Sequence, residues 1–147
     1  MKNLFYLLTP IILGLLTGMI ISSNINYVSL IKPPLAPPSW LFPVVWIILY
    51  ILMGISYLLF KKKNKYLGIE NIIYYLQLLF NLLWSVIFFT FNLKFLSCVW
   101  IFILDILVIE MIILFYKKSK ISAILNIPYL CWILFATYLT IGIFLLN

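Results

Sequence analysis

Five apolar runs, separated by short polar segments, divide the chain at about residues 4–23, 40–60, 71–90, 95–116 and 122–146. Each is close to the roughly 20 residues that carry a helix across a hydrocarbon core of about 30 Å. The first run is too long for the apolar core of a signal peptide, and Met19 to Asn24 offers no A-x-A-like cleavage site, so it reads as a span. Phe91-Asn92-Leu93-Lys94 is a very short turn and makes spans three and four antiparallel neighbours. In the fifth run Pro128 biases the residue before it out of helix, which predicts a kink there. The pattern predicts an all-α membrane protein, a bundle of five transmembrane helices forming one domain over 1–147.

The segment between the first two spans has a character of its own. Pro33, Pro34, Pro37 and Pro38 lie in the loop 24–39, and each lacks an N–H and pushes its predecessor towards extended geometry. Ser39 is a good N-cap type for the helix that follows. Pro43 then falls in the first turn, where a missing N–H costs little. Trp40 and Trp46 are six residues apart, about 120° short of two full turns, so they point in different directions. A proline-stiffened loop running into a Trp-bearing helix reads as a lid over an aromatic pocket.

Composition strengthens the membrane reading. The chain is 67% hydrophobic and 9% charged, with mean hydropathy +1.24, far from a soluble domain's balance. A net charge of +7 would suggest nucleic acid in a soluble protein, but the lysine positions explain it as topology. Lys2, Lys61, Lys62, Lys63, Lys65, Lys117, Lys118 and Lys120 fall on one side of a five-span bundle, Lys32 and Lys94 on the other. The positive-inside rule then places the N-terminus in the cytoplasm and the proline loop and C-terminus outside. With no His and only three acids, no transition-metal cluster is expected. Cys98 and Cys131 read as helix-packing residues.

Trp40 and Trp100 fit the interfacial belt. Trp46, Trp84 and Trp132 lie deeper, where an indole needs a partner for its N–H and offers a flat face for stacking. Asn81 and Trp84, three apart, share a helix face. Asn81 serves either a ligand or a neighbouring helix. Asp105 is the costly residue, since a carboxylate at mid-depth costs roughly 2.5–3.5 kcal/mol on insertion scales. It should face the bundle interior. Glu110 is nearer the cytoplasmic end, where it could reach the interface or Lys117 and Lys118, and lies about 140° around the helix from Asp105. Glu70 sits where a helix N-terminus favours an acid. Gly14-Leu-Leu-Thr-Gly18 allows close helix approach, either within the chain or at a dimer seam. Leu114-Phe-Tyr116-Lys-Lys118 fits the loose sterol-contact pattern, which many membrane proteins match by chance.

Four blocks in order resemble the translocator protein, or tryptophan-rich sensory protein (TspO), family. The first runs from Tyr27 through Lys32-Pro33, Pro37-Pro38-x-Trp40-x-Phe42-Pro43-x-x-Trp46 to Met53-Gly54. Gln77-x-x-x-Asn81-x-x-Trp84-Ser85, the segment around Asp105, and Pro128-Tyr129-x-x-Trp132-x-x-Phe135-Ala136 complete it. The resemblance implies a five-helix bundle, a homodimer in a bacterial cell membrane, and a porphyrin such as protoporphyrin IX as ligand, with no obligatory cofactor. It implies that Tyr27, Pro37, Trp46, Asn81, Trp84, Asp105, Trp132 and Ala136 line or support a pocket under the first loop. It also implies a light-dependent breakdown of protoporphyrin in some members, with Trp46 and Trp132 as the catalytic indoles.

Asn26 and Thr140 depart from the family pattern, which often has Trp and Asn there. The chain stops at Asn147 without the basic segment of animal members, which argues against sterol binding. The absence of His removes the usual axial ligand for haem iron and favours a metal-free porphyrin. Three functions follow in order of preference: a porphyrin-binding sensor, a photochemical porphyrin-degrading enzyme, and a transporter using Asp105.

Overall fold

The computed structural model describes residues 1–22 and 26–147. The expected end of the first span at Ser23 and the first residues of the loop therefore lie outside the described residues. Five helical spans are long and apolar enough to cross a membrane, and no strand occurs among the described residues. The spans are α1 (Lys2–Ser22), α2 (Leu41–Lys63), α3 (Ile69–Ser85), α4 (Lys94–Lys118) and a fifth built from α5 (Lys120–Ile124) and α6 (Ile127–Leu146).

Several boundaries differ from the pattern for local reasons. α2 begins at Leu41, not Ser39, because the Leu41 N–H bonds the Pro38 carbonyl and closes a turn over Ser39 and Trp40. No side chain caps that helix. The fifth span breaks at Leu125 and Asn126 instead of kinking at Pro128, which takes the first turn of a new helix where it lacks no needed N–H. α3 does not run as α-helix to Thr90 but relaxes into a π-helical turn over Val86–Thr90. In the turn that follows, Asn92 adopts a left-handed φ of 53°, which Asn tolerates well.

α1 packs chiefly on α2, α3 on α4, and α4 on α6. The α1–α2 seam is tight because glycine removes a side chain on each partner. A Cβ on Gly54 would stand 2.3 Å from the Leu7 carbonyl oxygen, and one on Gly14 would stand 2.3 Å from the Tyr50 ring. At Gly18 a Cβ would meet nothing within 4 Å. The Gly14–Gly18 pair thus serves packing inside the chain at Gly14, while at Gly18 the helices have already parted.

At the lysine-rich end, Tyr57 and Tyr74 stack at 3.9 Å and Phe60 and Phe115 at 4.2 Å. Lys118 pairs with Glu70 at 2.6 Å, tying α4 to α3. Of the two roles open to Glu110, the interface or a pairing with Lys117 and Lys118, the second is not taken: Glu110 is exposed on α4, and Lys118 pairs with Glu70. Cys98 is buried with its thiol 3.8 Å from the Thr140 carbonyl, as a packing residue should be. Cys131 departs from that expectation: it points out of the bundle on α6.

Candidate functional site

Phe42, Trp46 and Tyr50 are spaced four apart on α2 and so form one stripe along the helix. That stripe walls a cavity of about 380 Å³. The opposite wall is the second half of α1, where Gly18 leaves room, and Ser85 and Phe89 line the cavity from the end of the third span. The roof is Tyr27 and Ser39 from the loop. Leu15, Met19 and Ile47 belong to the rim and are exposed, so the cavity opens sideways between α1 and α2 onto the surface a bilayer would cover.

The indole of Trp46 stacks on Tyr50, centroids 5.6 Å apart at 25°, and presents a flat aromatic surface. Tyr50 is held from behind. Its hydroxyl donates to Asn81 Oδ1 at 2.7 Å; Asn81 Nδ2 donates to Tyr129 Oη at 2.9 Å; the Tyr129 hydroxyl donates to Gln77 Oε1 at 2.7 Å. The chain of bonds joins α2, α3 and α6 where no water can compete. Asn81 therefore takes the helix-to-helix role. It supports the cavity through Tyr50 and does not line it.

The loop forms a fixed roof. The Tyr27 hydroxyl donates to the Pro37 carbonyl at 3.0 Å, and burial pushes that phenol above its ordinary pKa, keeping it a neutral donor. Lys32 lies 4.7 Å over the Tyr27 ring. The Tyr138 hydroxyl donates to Pro34 O at 2.7 Å, and the Asn147 side chain both accepts from the Ile31 N–H and donates to the Ile31 carbonyl. Pro33 fits against Gly142, which has no side chain to displace it. Ala36 N–H bonds Pro33 O across a turn in which Leu35 takes φ of 68°, a conformation that costs a non-glycine residue about 1–2 kcal/mol.

The remaining expected residues fall behind the cavity. Trp84 and Ala136 border a second, far smaller void of about 10 Å³. Trp132 meets Phe42 edge-on at 5.9 Å and stands against the cavity wall without joining it. The indole N–H groups of Trp84 and Trp132 are buried without a partner. Asp105 lies between α4 and α6, where Oδ2 accepts from Thr137 at 2.8 Å and Oδ1 has no partner. It borders neither cavity. Pro37 acts through its carbonyl. Trp40 is exposed, in keeping with a belt position, whereas Trp100 stacks on Phe80 at 4.5 Å and donates to its carbonyl, so it anchors α4 to α3.

Sequence reasoning did not single out Phe42, Tyr50 or Phe89 as site residues. The four-residue spacing from Trp46 was a signal for the first two. Phe89 left none, because the π-helical turn shifts the phase of the residues it carries.

The chain matches the model of the TspO/MBR family over residues 6–146. It is 39% identical over 127 residues to the tryptophan-rich protein TspO of Chlorobaculum tepidum, covering 82% of this chain and 78% of that protein. With the TspO of Archaeoglobus fulgidus it shares 41% over 123 residues, 82% and 79% of the two chains. With the protein CrtK of Rhodobacter capsulatus it shares 35% over 138 residues, 89% and 84%. Five apolar spans and a match along nearly their whole length make this an integral membrane protein that belongs to the TspO/MBR family.

Proposed function

We propose that this protein is a membrane receptor of the sensor type that binds flat, apolar ligands, protoporphyrin IX foremost, in the cavity beneath the proline loop. The observation that carries this is the Trp46–Tyr50 stack: a rigid aromatic plate on the wall of an apolar, laterally open cavity. Ligand pockets are concave, mostly apolar and of roughly 300–1,000 Å³, with a few polar groups to fix orientation. Thr17, Ser22, Ser39 and Ser85 bring aliphatic hydroxyls to this cavity. An opening towards the bilayer suits a ligand that partitions into lipid. A name given to a relative, the tryptophan-rich sensory protein of Cereibacter sphaeroides, is in keeping with a sensing role.

The reading includes a homodimer and a prokaryotic cell membrane, with the lysine-rich end in the cytoplasm and the loop outside. The transport alternative draws nothing from Asp105, which stands away from the cavity against Thr137.

The test is a titration of the protein in lipid nanodiscs with protoporphyrin IX, read by tryptophan emission. Saturable quenching with a dissociation constant of about 1 µM, or roughly −8 kcal/mol, is expected. Trp46→Phe should lower the extent of quenching. Linear, unsaturable quenching that Trp46→Phe leaves unchanged would reject the reading.

A further inference from the structure

The two cavities share a wall. Tyr27, Phe42 and Phe89 border both the outer cavity of about 380 Å³ and the inner void of about 10 Å³. Phe42 meets Tyr27, Phe89 and Trp132 edge-on at 5.1, 6.3 and 5.9 Å, and Phe89 meets Trp84 edge-on at 6.2 Å. Beyond this wall, Trp84 is 3% exposed and its N–H has no partner, and the buried N–H of Trp132 has none either. An unpartnered buried donor is unfavourable, and each instance asks for an explanation. The inner void is about the size that admits one water at most. The outer cavity stands near the lower limit for ligand pockets, small for a ring system of macrocycle size.

The wall stands on the two least regular pieces of helix near the site. Phe42 is the second residue of α2, ahead of Pro43 and after a turn with no side-chain cap. Phe89 lies in the π-helical turn Val86–Thr90, a kind of irregularity often found at functional sites. Neither ring is fixed by a hydrogen bond, and edge-to-face contacts are individually weak. Tyr27, the third member, is fixed by its bond to Pro37.

We propose that Phe42 and Phe89 form a movable partition that sets the size of ligand this protein accepts. Closed, it confines ligands to the outer cavity and to contact with Trp46 and Tyr50. When the two rings turn aside, the cavities merge, and a broad flat ligand reaches Trp84 and Trp132, whose N–H groups then meet its acceptor atoms. The partition is a specificity device of the porphyrin site, and its macrocycle arm rests on the reading given above.

The experiment has two arms, so that failure of the partition and failure of porphyrin binding are distinguishable. In the first, protein in nanodiscs is titrated with protoporphyrin IX and with 1-aminoanthracene, a smaller flat probe. Phe42→Ala removes the need to open the partition and should tighten protoporphyrin binding about tenfold, while 1-aminoanthracene changes less than twofold. Phe42→Leu should fall between, and it stands in for the alanine variant should that fail to fold. Phe102→Ala, on the exposed face of α4, should change neither. Equal shifts for both probes, or no shift for protoporphyrin where the wild type binds it, would overturn the partition.

The second arm needs no porphyrin. Tryptophan emission is quenched by a detergent with brominated tails, slender enough for the lateral opening. Trp84→Phe should leave the absolute emission lost to quenching unchanged in the wild-type background and reduce it in the Phe42→Ala or Phe42→Leu background, where Trp84 has become reachable. An identical quenchable fraction with the partition intact and removed would overturn it. Absent protoporphyrin binding together with an exposed Trp84 would reject the porphyrin reading and leave the partition standing.

Discussion

The glycines of the α1–α2 seam make opposite predictions from one substitution type. Gly54→Ala places a methyl 2.3 Å from the Leu7 carbonyl oxygen, and backbone cannot swing away as a side chain does. Ordinary contact lies near 3.4 Å, so 3.4 − 2.3 leaves about 1 Å for α1 to retreat. A gap of that size forfeits a quarter to a half of each dispersion contact nearby, and overpacking costs typically 1–3 kcal/mol. Helix propensity opposes this with about 1 kcal/mol in favour of Ala. The net expectation is a loss of about 0–2 kcal/mol. Gly18→Ala meets nothing within 4 Å and keeps only the propensity gain, up to about 1 kcal/mol. The two variants should therefore differ by about 1–3 kcal/mol. Reversible unfolding in mixed micelles by SDS titration measures that difference. A spin-label pair on α1 and α2 should also show the helices moved apart in Gly54→Ala alone. Equal stability of the two variants would refute the claim that this seam is set by backbone contact.

Three further outcomes follow from the same structure. Asn81→Ala strands the Tyr50 hydroxyl and removes two buried bonds, and should cost about 2–3 kcal/mol by the same titration, while Tyr50→Phe added to it should cost little more. Thr137→Val leaves Asp105 without its partner and should destabilise by about 1–3 kcal/mol, and combining it with Asp105→Leu should recover part of that loss. Asn147→Ala removes both bonds to Ile31 and should speed hydrogen exchange at Ile31 and its neighbours without altering exchange in α3, as read by mass spectrometry.

The bundle was legible in hydropathy because lipid demands long apolar helices whatever they pack against. The lysine clusters at one end were equally plain. What hydropathy cannot register is a partner. Asn81 reads alike whether it faces a ligand or two tyrosines, and its role depends on Tyr50 and Tyr129, 31 residues before and 48 after it. Trp100 looked like a belt residue because the carbonyl of Phe80 is invisible from its own helix. The π-helical turn carries no pattern that separates it from ordinary apolar helix, so Phe89 went unread. The resemblance names Trp46, Trp84 and Trp132 together, but the fold sets Trp46 on the outer cavity, Trp84 on the inner void and Trp132 against Phe42.

Tyr50 joins three features that the chain keeps far apart. Its ring fills the hollow left by Gly14 and so fixes the distance of α1. The same ring carries Trp46 on the cavity wall, and its hydroxyl enters the polar chain through Asn81. A stacking surface free to tilt would lose part of a ligand's binding energy in ordering itself, whereas one braced from two sides meets the ligand already placed. The bracing is asymmetric. Asn81, Tyr129 and Gln77 hold Tyr50 from the interior by bonds that have no competitor in lipid, while α1 holds it from outside by packing alone, with Pro10 as its one buried residue. Strain imposed by a bulky ligand should therefore be taken up by α1 and by the unbonded rings of Phe42 and Phe89, and the Trp46–Tyr50 plate should stay in place. In this bundle the polar core fixes the stacking surface, and the apolar elements around it are the ones free to yield.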